Sequence, residues 1–530
     1  MMKKSTILLL LLSLSVFARQ LDEPTKKAVE SIRADDIKSH MYFLSADEMA
    51  GRDAGSHEGR ITANYIASQF MRYGLKPVGD GGTYFQNFDL IEAWVDNDNT
   101  ELKAKIDGVE KTYQLGFDFN LARQSNNPAQ VTAPVIFLGY GVNAPEYGYN
   151  EFAGVNLRGK IAMVLSSEPQ SSDANSKFKG KWETIHGKIW HKIETLRKAG
   201  AAGIVVINPS RPTRPPRLAS APTDFQAGVT PRIQLAGSLW DIPTFSISQS
   251  VANEWLASAG KTVDVLQQSI DRNLKPQPIE ITGLTITLKK ALKSRRVIRT
   301  RNVVGLLEGS DPQLKDEAVI ITAHYDHVGT VAGRIYRGAD DNASGTIGVM
   351  EIAEAYLTAK LKPKRSILFV VFEAEERGLL GAFYYVDRPI IPLAKTYVNL
   401  NMDMIGRDEH SPTWNTTPEQ NRNGVNVVGT LYNPELRKMI EASNQGIGLS
   451  LDFKTDTVDS ESWFSRSDHF PFATKSIPMV LFNTGEHPDY HTENDTWDKI
   501  NYPKMEKIVR LIFLTSLEAA NATHKIDFKP

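Results

Sequence analysis

From residue 300 onward, apolar residues fall in continuous runs rather than at alternate positions. NVVGLL (302–307), AVIITA (318–323), SILFVVFEA (366–374), TYVNLNM (396–402), VNVVGT (425–430) and IPMVLFN (477–483) carry few polar interruptions. A strand with one wet face alternates, whereas a continuous apolar strand is covered on both sides. Between the runs lie stretches with helical spacing, such as ASGTIGVMEIAEAYLTAKL (343–361). Strands separated by helices predict an α/β fold: a mixed, mostly parallel sheet with helices on both faces. In such sheets the functional site lies beyond the carboxyl ends of the strands.

Upstream the pattern differs. Residues 30–77 read as helical, with Ile61, Tyr65, Ile66 and Phe70 on one face, Gly74 as the stop and Pro77 beyond it. From APVIFLGYGVNAP (133–145) to IEITG (279–283) the chain offers short strands, few helices and Pro-rich loops such as NPSRPTRPPRLASAPTD (208–224). This span has its own αβ unit, IWHKIETLRKAGAAGIVVINP (189–209), and is long enough for a core of its own. The expected division is a catalytic domain in two parts, 19–127 and 284–530, with a smaller α/β domain inserted at 128–283. No internal repeat is visible.

Composition narrows the chemistry. The 530 residues carry a formal net charge of −1 and no cysteine. Thiol catalysis and disulfides are therefore excluded, and the charge gives no argument for nucleic acid or an anionic membrane. The basic run LKKALKSRRVIRTR (288–301) holds seven Lys or Arg and reads as a solvated strand near a domain junction. At the N-terminus, Lys3 and Lys4 precede an apolar Ile7–Leu14 stretch too short to span a bilayer, and Val16-Phe17-Ala18 suits cleavage. Residues 1–18 are thus expected to be a signal peptide, with a secreted or periplasmic chain beginning at Arg19. No other apolar stretch reaches spanning length, so no membrane insertion is expected.

Four of the apolar runs end in groups that bind metals. AVIITA leads into His324 and Asp326, and the following turn carries Asp340 and Asp341 in GADDNASG. SILFVVFEA leads into Glu375 and Glu376, TYVNLNM into Asp403, and the loop after IPMVLFN into His487 and His491. Buried charges cost several kcal/mol each unless paired or bound to a metal. Carboxylates and imidazoles without thiolates suit Zn²⁺ or a similar divalent ion. Positions i and i+2 of a strand share a face, so Asp326 is expected to accept a hydrogen bond from the far ring nitrogen of His324. His327 falls on the other side and is expected to support the site structurally. In HPDYH, Pro488 and the missing glutamate of a helical zinc motif favour His491 over His487 as a ligand. His40, His57, His186, His191, His410 and His524 show no partner pattern. GYGVNA (139–144) is followed by Pro145 where a nucleotide-binding helix should begin, and no GxSxG is present.

The motifs AHYDHVG, GADDNASGT, EAEERGLLGA, NMDMIG and DYHTENDT, in this order, resemble the M28 family of co-catalytic dizinc peptidases with an inserted protease-associated (PA) domain. LSADEMAGRDAGSHEGRITANYIASQF and GYGVNAPEYGYNEFAGVNLRGKIAMVL look like the same family's N-terminal segment and insert. The resemblance implies a zinc-peptidase-like, phosphorylase/hydrolase-like fold and two Zn²⁺ ions per chain. It implies that His324 and Asp403 hold one zinc, that Glu376 and His491 hold the other, and that Asp341 bridges them; the residues alone leave Asp340 open as the bridge. Glu375 would be the general base and acid acting on a water between the metals. Tyr490 resembles a tyrosine that stabilises the oxyanion in some relatives, and a packing role is an alternative. Asp468 and His469 in SRSDHFPF would support the cleft from behind. The Asp341–Asn342 peptide would be cis, and the insert would wall the cleft and limit substrate size.

The implied function is a secreted aminopeptidase acting on peptide substrates. One alternative is a dizinc carboxypeptidase of the glutamate-releasing type. Such enzymes usually carry a further helical domain after the catalytic part, for which the 39 residues after His491 leave no room. A glutaminyl cyclase would keep a single-zinc set, whereas all five ligands are present here. A receptor-like relative without catalysis would be expected to lack ligands. The preferred terminal residue, single-residue or dipeptide release, and the oligomeric state are not legible.

Overall fold

The computed structural model describes residues 21–121, 127–171, 173, 175–178, 184–207, 232–237, 242–408, 417–456 and 463–528. The expected signal peptide, the Pro-rich loop 208–224 and His410 lie outside the described residues.

The predicted runs after residue 300 are strands. In chain order the strands used below are β1 (Phe85–Ile106), β2 (Ala129–Phe137), β3 (Ile161–Leu165), β4 (Gly203–Ile207), β5 (Thr244–Ile247), β6 (Ile279–Leu307), β7 (Ala318–His324), β8 (Ser366–Phe372), β9 (Thr396–Met402), β10 (Gly424–Val428), β11 (Ser450–Asp452) and β12 (Met479–Asn483). They join one large sheet in the order β11-β10-β12-β9-β7-β8-β6-β2-β3-β4-β5. The four central strands β12, β9, β7 and β8 are mutually parallel, so their carboxyl ends open on one edge. Every residue of β7, β8 and β9 is buried, which is why their sequences do not alternate.

The helices that cover this sheet include α1 (Ala34–Leu44), α2 (His57–Tyr73), α3 (Gly345–Thr358) and α4 (Tyr502–Asn521). The segment read as helical from 30 to 77 breaks between α1 and α2, where residues 45–56 form turns. Ser56 caps α2 by accepting from the Gly59 amide at 2.9 Å, and Gly74, at φ +92°, ends it. The buried face of α2 is Thr62, Ile66 and Phe70 with Ala63 and Ala67; Ile61 and Tyr65 are only half-buried.

β1 and β6 pair antiparallel along most of their length, and β6 also joins the two halves of the sheet. Near its end β6 pairs with β8 through Val303↔Val371, and near its start it pairs with β2 through Ile286↔Ala133. Residues 293–297 and Arg299 in the basic run are exposed on this ribbon. Around β2–β5 lies a separate apolar core that includes Phe137, Ile161, Val205, Phe245 and Trp255. It also takes in Leu102, Ala104 and Tyr113 from before residue 128, and Ile286 and Leu288 from after residue 283. Against the larger unit, Trp190 packs edge-on to Phe470 with ring centroids 5.2 Å apart and tilted on Phe383 at 5.8 Å.

Helix α3 is buried almost all round, and it carries Glu351 into that environment. Its Oε1 has no hydrogen-bond partner, and the nearest cation-forming group is His40 Nε2 at 3.7 Å. Burial, reinforced by Glu354 and Asp36, pushes the Glu351 carboxyl up to about 8. Because the folded pKa lies above the unfolded one, folding takes up a proton and stability falls as pH rises from about 4.5 to 8. Glu351→Gln should therefore stay within about 1 kcal/mol of wild type in thermal unfolding at pH 5. At pH 9 it should be more stable by an amount on the order of a few kcal/mol. Unfolding scans at both pH values check this.

Candidate metal centre

Except for Asp341, the groups at the open edge come at or after the ends of the four central strands. His324 is the last residue of β7, and Asp403 directly follows β9. Glu375 and Glu376 lie three and four residues beyond β8, and His491 lies in the loop after β12. Asp341 comes from the turn that enters α3, where the Asp341–Asn342 peptide is cis.

The carboxylate of Asp341 faces two ways. Its Oδ1 is 3.6 Å from His324 Nε2, which is itself 3.4 Å from Asp403 Oδ1. Its Oδ2 is 2.9 Å from His491 Nε2, which lies 3.1 Å from Glu376 Oε1. Asp340 turns the other way: its Oδ1 accepts from the Gly406 amide at 2.6 Å, and its Oδ2 lies 3.4 Å from His487 Nε2. The two aspartates, indistinguishable by residue type, thus sit in different environments. His487 stays with Asp340 and Asp495, away from the His491 group.

Two expectations about β7 change. Asp326 does not place its carboxylate on the far nitrogen of His324. The nearest acceptor to Nδ1 is the Asp326 carbonyl at 3.1 Å, with the carboxylate at 3.7 Å. Its carboxylate instead accepts from the Glu375 and Glu376 amides, at 3.0 and 3.3 Å, and so fixes the paired glutamates. The strand ends at His324, so two-residue alternation no longer governs the residues beyond it. For the same reason His327 comes back toward the cluster. Its Nδ1 lies 2.9 Å from Glu376 Oε1 and 3.7 Å from Asp341 Oδ2.

Three residues to which the sequence analysis assigned no role hold these loops. Arg52 is fully buried and donates to the carbonyls of Leu44, Tyr325, Arg337 and Gly338 at 2.6–2.9 Å, tying both sides of the cluster together. Asp495 accepts from the Asp340 amide at 3.0 Å and from the Asp341 amide at 3.1 Å. Asn342 donates to the Met402 carbonyl and accepts from the Gly345 and Met404 amides. A Cβ on Gly345 would meet Asn342 Oδ1 at 2.4 Å and the Met402 carbonyl at 2.5 Å, so only glycine fits there. A spacing pattern cannot reveal Arg52, because it acts on carbonyls that every sequence has.

Charge is unevenly spread. Burial, with Asp403 and Glu376 adding to it against the pull of His324, holds the Glu375 carboxyl well above the usual range. Glu376 lies well below it, because against burial the His491 and His327 imidazoles stabilise its charge. His491 is pushed up to about 10, Glu376 and Asp341 outweighing its burial. Tyr490 stacks on His491 with ring centroids 3.9 Å apart, and its hydroxyl lies 3.4 Å from Arg466 Nη2. Asp468 is buried with neither carboxylate oxygen hydrogen-bonded, and burial raises its pKa well above the usual carboxylate value. His469 is buried behind it and lowered to about 3 by desolvation.

The donor set suits a divalent cation. Two clusters can each hold one: His324, Asp341 and Asp403, and His327, Asp341, Glu376 and His491. Glu376 Oε1, His491 Nε2 and His327 Nδ1 are buried without hydrogen-bond partners although they lie about as close as hydrogen-bonded atoms. Donor atoms of these types within 4.8 Å of one another are a set that one ion could bind.

Residues 302–516 match the model of peptidase family M28. The chain is 28% identical over 233 residues to the aminopeptidase YwaD of Bacillus subtilis, covering 43% of this chain and 46% of that protein. It is 22% identical over 533 residues to a glutamate carboxypeptidase 2 homolog of Caenorhabditis briggsae, covering 88% of this chain and 64% of that protein. The chain thus spans less than two thirds of either relative. A solved aminopeptidase from Aneurinibacillus sp. strain AM-1 is similar at a TM-score of 0.46 and 20% identity, with 96% of this chain and 98% of that chain covered. Among the described residues, no helix is long and apolar enough to cross a membrane.

If Asp495 orders the turn that presents Asp341, Asp495→Ala should leave the ligands in place and weaken zinc binding by roughly 10–100-fold, as loss of an outer partner does. Competition titration with a chromophoric chelator measures it; unchanged affinity would remove Asp495 from this role.

Proposed function

We propose that the protein is an exported zinc-dependent aminopeptidase. The observation that carries this reading is the two-faced Asp341, with one donor group on each side of it and Glu375 alongside. His324 and Asp403 would hold one Zn²⁺, Glu376 and His491 the other, with Asp341 shared. Two zinc ions, when bound, supply Lewis acidity at the scissile carbonyl and make water a stronger acid.

The remaining steps fall to side chains. Glu375 Oε2 lies 3.9 Å from His324 Nε2, beside the cluster with fewer protein donors. With cations offsetting the neighbouring carboxylates, Glu375 would be ionised there, take a proton from the attacking water and return it to the leaving amine. Asp326 orients Glu375 through the backbone, since its carboxylate holds the Glu375 amide. The Tyr490 hydroxyl, kept protonated by burial, would donate to the oxygen that gains charge in the transition state. The insert, read as a protease-associated domain, reaches the larger unit through Trp190. It would wall the cleft, so that short peptides are cleaved faster than folded proteins with the same first residue. Export rests on the basic and apolar N-terminal segment, and N-terminal sequencing of the exported chain should begin at Arg19.

A glutamate-releasing carboxypeptidase is the second reading, favoured by the match to the Caenorhabditis protein along 88% of this chain. Peptides blocked at one end decide between them. N-acetylation should abolish hydrolysis and C-terminal amidation should leave it intact; the reverse pattern selects the carboxypeptidase.

The paired glutamates should separate cleanly. Glu375→Gln is expected to retain both zinc ions and to lose turnover by about 10²–10⁴-fold, the usual contribution of a general base. Glu376→Gln should instead lower zinc content. Near-normal turnover of the Glu375 variant would refute its assignment.

A further inference from the structure

The four-donor cluster contains one group more than the resemblance assigns to it. We propose that His327 Nδ1 is a direct protein ligand of the second metal, alongside Asp341, Glu376 and His491. This deepens the two-metal reading above and rests on it.

The distances fit one tetrahedral shell. Donors at about 2.0–2.1 Å from a single zinc lie about 3.3 Å from each other. Here His327 Nδ1 is 2.9 Å from Glu376 Oε1 and 3.7 Å from Asp341 Oδ2, and His491 Nε2 is 3.1 and 2.9 Å from the same two atoms. The two imidazoles meet edge-on, with centroids 5.4 Å apart, so both can point at one centre without stacking.

The ring is also built into place. His327 is fully buried; its Nε2 has no hydrogen-bond partner, and its Nδ1 faces Glu376 Oε1 at 2.9 Å. A buried imidazole turned toward two carboxylates, Glu376 and Asp341, is placed as a ligand of an ion that they share would be. Its backbone amide donates to the Arg52 carbonyl at 3.2 Å, and Arg52 is itself fixed by four carbonyls. The ring lies against Gly338 so closely that a Cβ there would stand 2.5 Å from its Cγ. A glycine at φ +59° thus clears the space this imidazole occupies.

The consequence is an asymmetric centre. Four protein donors close the second site, as in structural zinc sites, whereas His324, Asp341 and Asp403 leave a position open on the other. The open position is the one beside Glu375. The metal held by His327 is then the more tightly bound and fixes Asp341, and the more exchangeable metal is the one beside Glu375.

A structure of wild-type protein soaked with Zn²⁺, with anomalous scattering recorded at the zinc edge, is the direct test. The proposal expects zinc within about 2.2 Å of His327 Nδ1. It also expects zinc to leave the His324–Asp403 side first under graded chelation. His327→Phe keeps an aromatic ring and removes the donor; zinc affinity at that site should fall by more than about 10²-fold, beyond what an outer partner gives. If zinc sits on Asp341, Glu376 and His491 with His327 Nδ1 beyond about 3 Å, the ligand assignment is overturned and the two-metal reading stands. A reversed order of loss overturns the closed-site assignment. If no zinc enters either cluster, both readings fall. Should the Phe variant not fold, the wild-type structure decides alone.

Discussion

The structure turns on the crowding of acidic groups at one buried edge of the sheet. Asp341, Glu375, Glu376 and Asp403 converge there with His324, His327 and His491. Carboxylates this close cannot all ionise without compensation, because each raises the cost of charging the next. The imidazoles offset part of that cost unevenly: Glu376, between two of them, is held well below the usual carboxylate range, while Glu375 is pushed well above it. Cations placed between the groups would stabilise every carboxylate at once, which no rearrangement of the side chains could do.

The fold supplies this crowding through topology. Four adjacent parallel strands end on the same edge, so residues far apart in sequence become neighbours without any strand having to bend. The cost of ordering the loops beyond them falls on a few buried groups. Arg52 binds carbonyls from both sides of the cluster, and Asp495 and Asn342 hold the turn that presents Asp341. The antiparallel β1–β6 ribbon joins this unit to the smaller one, so the two are continuous in the sheet and yet keep partly separate cores.

Much of the fold was legible because continuous apolar runs and metal-binding residue types are strong local signals. The runs at β7, β8, β9 and β12 became buried parallel strands, and the groups beyond their ends lie together. The features hidden in the sequence depend on where a strand stops. Counting alternate faces past His324 misplaced the Asp326 carboxylate and turned His327 away, because the chain leaves extended geometry there. The different surroundings of Asp340 and Asp341 were not legible either: the Gly406 amide that Asp340 accepts from is backbone no spacing rule anticipates. Arg52 was invisible for a related reason: its partners are backbone carbonyls, and only the folded chain shows which ones.

The central claim is that one carboxylate, Asp341, organises two metal sites at once. Zinc content of Asp341→Asn after equilibration with Zn²⁺ and desalting, compared with wild type by elemental analysis, tests it most directly. The account predicts about two zinc equivalents for the wild-type chain and loss of both from the single substitution. Retention of both, or loss of one with the other held at wild-type affinity, would contradict it.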